Sequence, residues 1–327
     1  MPTIHDLLIR EDGYARTMEE TVQPYLAARR AELWPERLPG KKIHLMRYRA
    51  DEPKAAVVFS HGFTEAEEKY AELIYYFLNM GYTVYFPEHC GHGYSYRMTD
   101  DDSLVHIDSF DTYIQDLLFV SHLAKAERPG LPLLLFAHSM GGGVGAAAAA
   151  REPKLYGKVL LHSPMIRPLT AGIPWWVTKV IVALTTAAGM GTHYIFGSKP
   201  YGGIEDFDTS CAMSRPRFDW YQQKRAKNPR LQTSAGSLNW LRGTMKLNRE
   251  LMEEDWRKIE APVLLLQAEK ENMVSKEEQE RFAEKLKQSG KAPVEFAVIQ
   301  NAKHEIFNST DDVLEPYLEK VFAFFAA

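Results

Sequence analysis

The stretch LLLFAHSMGGGVG, residues 133–145, decides the fold of this chain. An apolar run at 133–137 is followed by His138 and a serine, Ser139, and only small residues and one valine follow Met140. The apolar run predicts a strand buried on both faces, and the small residues predict a helix packed closely behind it. A serine at such a turn projects its hydroxyl from the end of a sheet, where it is placed to act as a nucleophile. The alternative interpretation is a serine that only caps the helix.

Short apolar runs recur on both sides of this stretch. Strands are predicted at 56–60, 83–87, 133–137, 158–162, 263–267 and 294–299, and the mixed pattern of the last one is typical of a sheet edge. Amphipathic helical spacing lies between the strands, as at Tyr70, Leu73, Ile74, Phe77 and Leu78. This alternation predicts an α/β fold whose mostly parallel sheet is flanked by helices.

The strand pattern stops after His162 and resumes at Ala261. We therefore predict a helical N-terminal extension over residues 1–40, a core over residues 41–164 and 258–327, and a helical cap over residues 165–257. The apolar stretch 173–191 within the cap contains Lys179. A lysine inside a membrane span is costly, so we expect this stretch to be buried or to lie at an interface.

The composition is that of a packed protein without a basic excess. The 327 residues include 39 basic and 43 acidic ones, for a formal net charge of −4, so nucleic-acid binding is not expected. Two cysteines, Cys90 and Cys211, do not make a disulfide framework. Residues 1–30 lack the apolar segment of a secretory signal, so we expect a cytoplasmic location, with membrane association left open. The sequence predicts no oligomeric state.

A serine nucleophile needs a histidine base and an acid that orients the histidine. Three histidines follow Ser139 in the chain, and His304 comes directly after the last predicted strand, where a loop would bring it over the serine. The acid is expected after the strand at 263–267, where Glu271 is the first choice and Glu269 the alternative.

The transition state of ester hydrolysis also needs two N–H donors for its oxyanion. One is predicted to be the backbone N–H of Met140, directly after the serine. The other is predicted to be the N–H of Phe63, in the loop that follows the strand at 56–60. This chemistry requires no cofactor and no metal.

Six segments appear in one order along the chain: SHGF at 60–63, EKYAEL at 68–73, EHCGHGYS at 88–95, AHSMGG at 137–142, VLLLQAEKENMV at 263–274 and AKHE at 302–305. Together they resemble the α/β-hydrolase fold, and within it the bacterial lysophospholipase and monoacylglycerol lipase family. The resemblance implies the same roles for Ser139, Glu271 and His304, and for the oxyanion donors Phe63 and Met140. Two residues depart from the family pattern, because Ala137 replaces a glycine and Glu88 replaces an aspartate.

The resemblance implies a serine hydrolase that cleaves carboxylic esters of lipids, as a lysophospholipase or monoacylglycerol lipase, through an acyl-serine intermediate. A short-chain carboxylesterase, a thioesterase or a peptidase on the same fold stays open, as does a lipid-binding protein without activity. Metal-dependent hydrolysis is another alternative, because Glu88, His89, Cys90 and His92 stand close together in the sequence.

The cap is expected to shape the substrate site for a small lipid ester. His138, Trp175 and Trp176 are candidate substrate-binding residues, and the paired tryptophans beside an aliphatic run also suit contact with a membrane surface. Basic residues later in the cap favour either a phosphate-bearing head group or a solvated helix face: Arg215, Arg217, Lys224, Arg225, Lys227 and Arg230.

Overall fold

The structure, a computed structural model, describes residues 2–327. Its strands are β1 Arg30–Leu33, β2 Glu36–Leu38, β3 Lys41–Lys42, β4 Leu45–Tyr48, β5 Ala55–Ser60, β6 Tyr82–Pro87, β7 Leu104–Val105, β8 Leu133–His138, β9 Lys158–His162, β10 Ala235–Gly236, β11 Val263–Lys270 and β12 Val294–Lys303. Its α-helices are α1 Ile4–Leu7, α2 Tyr14–Thr17, α3 Gln23–Ala27, α4 Ala71–Asn79, α5 Phe110–Glu127, α6 Met140–Arg151, α7 Trp175–Ala187, α8 Arg215–Lys227, α9 Leu238–Glu253, α10 Lys276–Ser289 and α11 Asp311–Ala326.

Eight strands form the main sheet, in the order β1-β4-β6-β5-β8-β9-β11-β12. The strands from β6 to β12 in this order pair in parallel, whereas β1 and β4 pair antiparallel at one edge. The predicted mostly parallel sheet is therefore confirmed. All six predicted strands are present, and β12 lies at the edge opposite β1, as its mixed pattern indicates.

The central strands are apolar on both faces because helices cover both sides of the sheet. In β5, Val57 and Phe59 pack into one core with α4 and α11, while Val58 packs into the other core with α5 and α6. Every residue of β5 and of β8 is buried. Side chains alternate across a strand, so a strand between two helix layers needs apolar residues at successive positions.

The prediction of a helical extension through residue 40 is wrong for its last third. Helical structure ends at Ala27, and β1 then pairs with β4 as the outermost strand of the main sheet. Only Ala31 and Leu33 of β1 are half-buried. Four residues with one shielded face carry too short an alternation to be recognised in the sequence.

Residues 165–257 lie between β9 and β11 and carry α7, α8 and α9. Helix α9 packs on α5 and α6 of the core, and α7 packs on α9. The stretch 173–191 contains α7, which has 13 residues. Among residues 2–327, no helix is both long enough and apolar enough to cross a membrane.

One buried guanidinium joins α8 to the core. The side chain of Arg217 is fully buried, with Nε 3.0 Å from a carboxylate oxygen of Glu72 in α4 and Nη1 3.0 Å from Asp311 in α11. Its Nη2 donates to the carbonyl of Ile9 at 2.7 Å. Burial alone would lower the pKa of Arg217, but the charge and hydrogen bonds of Glu72 raise it. The side chain therefore stays charged and holds three parts of the chain together.

We expect the substitution Arg217→Ala to lower the free energy of unfolding by about 3–5 kcal/mol, because it leaves the buried carboxylate of Glu72 without its cation. The matched control is Arg215→Ala on the same helix. Arg215 is exposed, and its ion-pair partner within residues 2–327 is the half-exposed Asp219, so its loss should cost less than about 1 kcal/mol. Urea unfolding followed by circular dichroism measures both, and equal losses would contradict the role given to Arg217.

Candidate active site

Ser139 lies at the sharp turn between β8 and α6. Its backbone has φ 52° and ψ −120°, a conformation that costs a non-glycine residue of the order of 1–3 kcal/mol. Hydrogen bonds on both sides offset this cost. The N–H of Ser139 donates to the carbonyl of His162 at 3.0 Å, and its carbonyl accepts from the N–H of Met165 at 2.7 Å. The turn is thus fixed by the neighbouring strand β9 and the segment after it.

Glycines after the serine allow helix α6 to start against the ends of neighbouring strands. A Cβ atom at Gly141 would lie 2.1 Å from the carbonyl oxygen of Ser60, at the end of β5. A Cβ atom at Gly142 would lie 2.7 Å from the Cα of Pro164, which follows β9. The first turn of α6 therefore has no room for side chains at these positions.

His304 and Glu271 form a hydrogen-bonded line with the serine. Nε2 of His304 is 2.8 Å from Oγ of Ser139, and Nδ1 is 2.8 Å from Oε2 of Glu271. The carboxylate of Glu271 also accepts the N–H of Met273 at 2.9 Å. Such a line allows the imidazole to take the serine proton while the carboxylate holds its tautomer.

The alternative acid, Glu269, points away from this line. Its Oε2 accepts the backbone N–H of Asn301 at 2.8 Å. The structure therefore brings the first choice, Glu271, to His304, whereas the second, Glu269, lies in β11 and is bonded to β12.

The candidate oxyanion donors lie on either side of the serine. Met140 is the first residue of α6, where helical N–H groups have no partner within the helix. Phe63 lines a cavity of about 400 Å³ together with Ser139 and His304. Its ring packs against Trp240 of α9, with 4.3 Å between ring centroids, so the cap also touches this loop.

Glu65 and Lys69 are site residues that the sequence analysis missed. The carboxylate of Glu65 accepts the N–H of Gly62 at 2.6 Å and the hydroxyl of Tyr70, which holds the loop that contains Phe63. Nζ of Lys69 is 2.9 Å from Glu65 and also pairs with Glu305, the residue after His304. The i,i+4 spacing of a glutamate and a lysine in the segment EAEEK was the only sequence signal for this pair.

His138 lines the cavity, but its ring is buried and is held by a contact with His162. Its Nδ1 is 2.6 Å from Nδ1 of His162, and only 1% of the residue is exposed. Burial lowers the pKa of both histidines well below the usual range, so both are neutral in the fold. Burial also lowers the pKa of His61, His89 and His92 nearby.

Trp175 and Trp176, the other predicted substrate-binding residues, do not line the cavity. They lie on α7, and 70% of Trp176 is exposed. Helix α7 buries only Thr178 and Val182, so Trp176 is left exposed and Trp175 half-buried. Helix α8 lines the cavity instead, through Phe218, Tyr221, Gln222 and Arg225.

Of the six basic residues between positions 215 and 230, only Arg225 lines the cavity. Arg217 is locked in the core, and three others pair on the outer side of the molecule. Those pairs are Arg215 with Asp219, Lys224 with Glu19 and Arg230 with Asp102.

Residues 88–92 are held by protein partners. Glu88 accepts Nδ1 of His44 at 2.7 Å and the N–H of Tyr94 at 2.6 Å, and Nε2 of His89 is 3.0 Å from Oγ of Ser60. Throughout the described chain, 2–327, no three histidine, cysteine or acidic side chains are grouped as ligands for a metal ion.

Comparison with known proteins identifies relatives over most of the chain. The family model Hydrolase_4, described as serine aminopeptidase, S33, matches residues 51–311. The probable lysophospholipase L2 of Haemophilus influenzae is 28% identical over 87% of this chain and 89% of its own length. Lysophospholipase L2 of Escherichia coli is 27% identical over 86% of this chain and 84% of its own length. A soluble variant of monoglyceride lipase from Saccharomyces cerevisiae, solved with a substrate analogue, has the same fold. Its TM-score is 0.70 at 18% identity, over 90% of this chain and 94% of that one.

The buried neutral histidines predict that acid destabilises the fold. In the unfolded chain a histidine binds a proton near pH 6.5, whereas in the folded chain these histidines stay neutral. As the pH falls below about 6.5, the unfolded state therefore binds more protons than the folded state and is stabilised relative to it. We expect the free energy of unfolding to fall between about pH 7 and pH 5, with a slope of about 1.4 kcal/mol per pH unit for each such histidine.

The variant His162→Gln should flatten this slope by about one histidine's share, about 1.4 kcal/mol per pH unit. His122→Gln is the control, because His122 is exposed beside Glu152. Urea unfolding at several pH values measures the slopes. An unchanged slope in His162→Gln would show that His162 is not held neutral.

Proposed function

Because this chain belongs to the Hydrolase_4 family of α/β hydrolases, we propose that it is a serine hydrolase that cleaves acyl esters of glycerol-based lipids, as a lysophospholipase or monoacylglycerol lipase. One observation carries the proposal: the line from Ser139 through His304 to Glu271 opens on a cavity large enough for a substrate head group. The names of the relatives support the choice of lipid esters.

The proposed reaction has two steps. Nε2 of His304 takes the hydroxyl proton of Ser139 as Oγ attacks the ester carbonyl, and Glu271 stabilises the imidazolium that forms. The N–H groups of Met140 and Phe63 donate to the oxyanion. The tetrahedral intermediate collapses to an acyl-serine, and the alcohol leaves with the proton from His304. Water then attacks the acyl-serine, with His304 again as base, and the fatty acid leaves.

We also propose that the cap docks on a membrane surface through α7, in a protein that is otherwise cytoplasmic. Trp176, Val180 and Leu184 stand four residues apart on this helix, and all three are exposed. Side chains with this spacing lie on one face of a helix and form an apolar stripe.

A further exposed apolar residue is bonded to a residue of the cavity wall. The N–H of Leu169, an exposed residue that precedes α7, donates to the carbonyl of Met273 at 2.9 Å, and Met273 lines the cavity. Lys179 is exposed on the same helix, where a cation suits contact with lipid head groups. Apolar side chains on α7 and beside the cavity would favour entry of a lipid directly from the bilayer.

The proposed chemistry is tested at the serine and the acid. A fluorophosphonate probe should label Ser139, and Ser139→Ala should abolish labelling and lower kcat for a monoacylglycerol by about 10⁶-fold. The variant Glu271→Gln should lower kcat by about 10⁴-fold, because the amide does not hold the productive tautomer of His304. Glu269→Gln is the control and should leave kcat within about twofold, because Glu269 only accepts a backbone N–H.

Two outcomes would overturn the assignment. Full activity in Ser139→Ala would remove the serine from the mechanism, and equal losses in Glu269→Gln and Glu271→Gln would remove the acid. An aminoacyl anilide tested beside the esters separates a peptidase from an ester hydrolase. Faster cleavage of the anilide would favour the peptidase.

The membrane surface is tested by flotation with vesicles of zwitterionic and anionic phospholipid. Trp176→Ser with Leu184→Ser should weaken binding at least tenfold, because each side chain contributes about 1.5–3 kcal/mol when it is buried in an apolar phase. Hydrolysis of a water-soluble ester should not change. Leu123→Ser, which removes an exposed apolar residue from α5, is the control, and equal weakening there would contradict docking through α7.

A further inference from the structure

The wall of the cavity beside Ser139 carries more carboxylates than cations. Its acidic residues are Glu65, Glu205, Asp206 and Glu305, and its basic residues, apart from histidines, are Lys69 and Arg225. The charge of a cavity wall beside a reacting ester favours substrates of opposite charge and disfavours substrates of the same charge.

The charge of Lys69 is already neutralised. Its side chain is mostly buried, and its Nζ lies 2.9 Å from Glu65 and pairs with Glu305 as well. Burial alone would lower the pKa of Lys69, but these two carboxylates raise it. The ammonium therefore remains protonated between two anions and offers no net positive charge to a ligand.

Each nitrogen of the Arg225 guanidinium also has a partner within the protein. Its Nε donates to the carbonyl of Leu231 at 3.1 Å, its Nη2 donates to the carbonyl of Thr233 at 2.7 Å, and its Nη1 pairs with Glu205. Arginine binds phosphate through two parallel N–H donors on one edge of the fork. In Arg225 all three nitrogens already bind protein groups, and the charge is paired with Glu205.

Asp206 is the carboxylate without a cation. It is exposed, and its Oδ1 accepts the N–H of Asp208 at 3.1 Å. Within residues 2–327, no lysine, arginine or histidine lies within ion-pair distance of it. A second exposed carboxylate, that of Glu205, lies next to Asp206 in the chain and also lines the cavity.

We propose that this wall makes the enzyme selective for the charge of the head group. It accepts acyl esters with an uncharged polyol or a zwitterionic head group that ends in a cation, and it rejects esters whose head group is a net anion. The inference rests on the proposed ester hydrolysis. A phosphomonoester carries about −1.5 to −2 charges near neutral pH. It would face the unpaired Asp206 on a wall whose two cations, Lys69 and Arg225, are already paired with carboxylates.

The test compares three esters with the same acyl chain: monoacylglycerol, lysophosphatidylcholine and lysophosphatidate. All three are presented in neutral detergent micelles, so that the surface is constant. We expect kcat/KM for the first two to agree within about tenfold and kcat/KM for lysophosphatidate to be at least tenfold lower at low salt. The gap should narrow in about 0.5 M salt, because salt screens charges near a surface.

Variants identify the source of the selectivity. Asp206→Asn and Glu205→Gln should each raise the kcat/KM for lysophosphatidate relative to monoacylglycerol by about two- to fivefold. Asp208→Asn is the matched control: it removes the same charge from the same segment, but Asp208 does not line the cavity. It should leave the ratio unchanged.

The experiment distinguishes failure of the proposed ester hydrolysis from failure of the charge selectivity. A 4-nitrophenyl butyrate assay, with no charged head group, runs beside every measurement. If this ester is not cleaved in a Ser139-dependent reaction, the proposed function fails. If it is cleaved and lysophosphatidate is turned over as fast as monoacylglycerol, at low and high salt, the charge selectivity alone is overturned. The salt series on the unmodified enzyme keeps this decision independent of how well the variants fold.

Discussion

The close contact between the start of α6 and the ends of the neighbouring strands is the constraint on which the site depends. Gly141 touches the carbonyl of Ser60, and Gly142 faces Pro164. Because α6 begins this close, the serine before it is forced into its positive-φ turn, and its Oγ leaves the sheet rather than pointing into the core. Hydrogen bonds from two other segments then hold a conformation that the serine alone would not keep.

The parallel order of the sheet brings the remaining groups to the same edge. The sheet order β8-β9-β11-β12 places these parallel strands side by side, so the segments with Glu271 and His304, after β11 and β12, converge at the edge where β8 ends at Ser139. Lys69 ties two of the converging loops together, because one of its carboxylate partners lies in the Phe63 loop and the other directly follows His304. A charge that is fully neutralised in this way contributes to geometry rather than to ligand binding.

The parallel strands and the line of Ser139, Glu271 and His304 could be predicted because both correspond to short local patterns in the sequence. Continuous apolar runs mark the strands, and turn residues mark the loops that follow them. Contacts between residues that are far apart in the chain correspond to no such local pattern. Arg217 looked like a member of a basic helix face, and only the arrival of Glu72 from 145 positions earlier in the chain makes it a buried ion pair. The outward tryptophans of α7 failed as cavity residues for the same reason, because the helix pattern does not say which partner lies opposite.

Helices α7 and α8 differ in how they are attached to the core. This difference explains how a fixed cavity wall and an exposed apolar surface occur in the same segment. Helix α8 is held by Arg217, and also by the indole of Trp220, which donates to Glu19 in the N-terminal segment at 2.8 Å. Its inner residues are therefore held firmly along the cavity wall. Helix α7 packs on α9, itself part of the cap, and shows solvent an apolar stripe. Side chains that face solvent do not take part in packing the core, so α7 carries an apolar stripe while α8 keeps the charge pattern beside Ser139 in place.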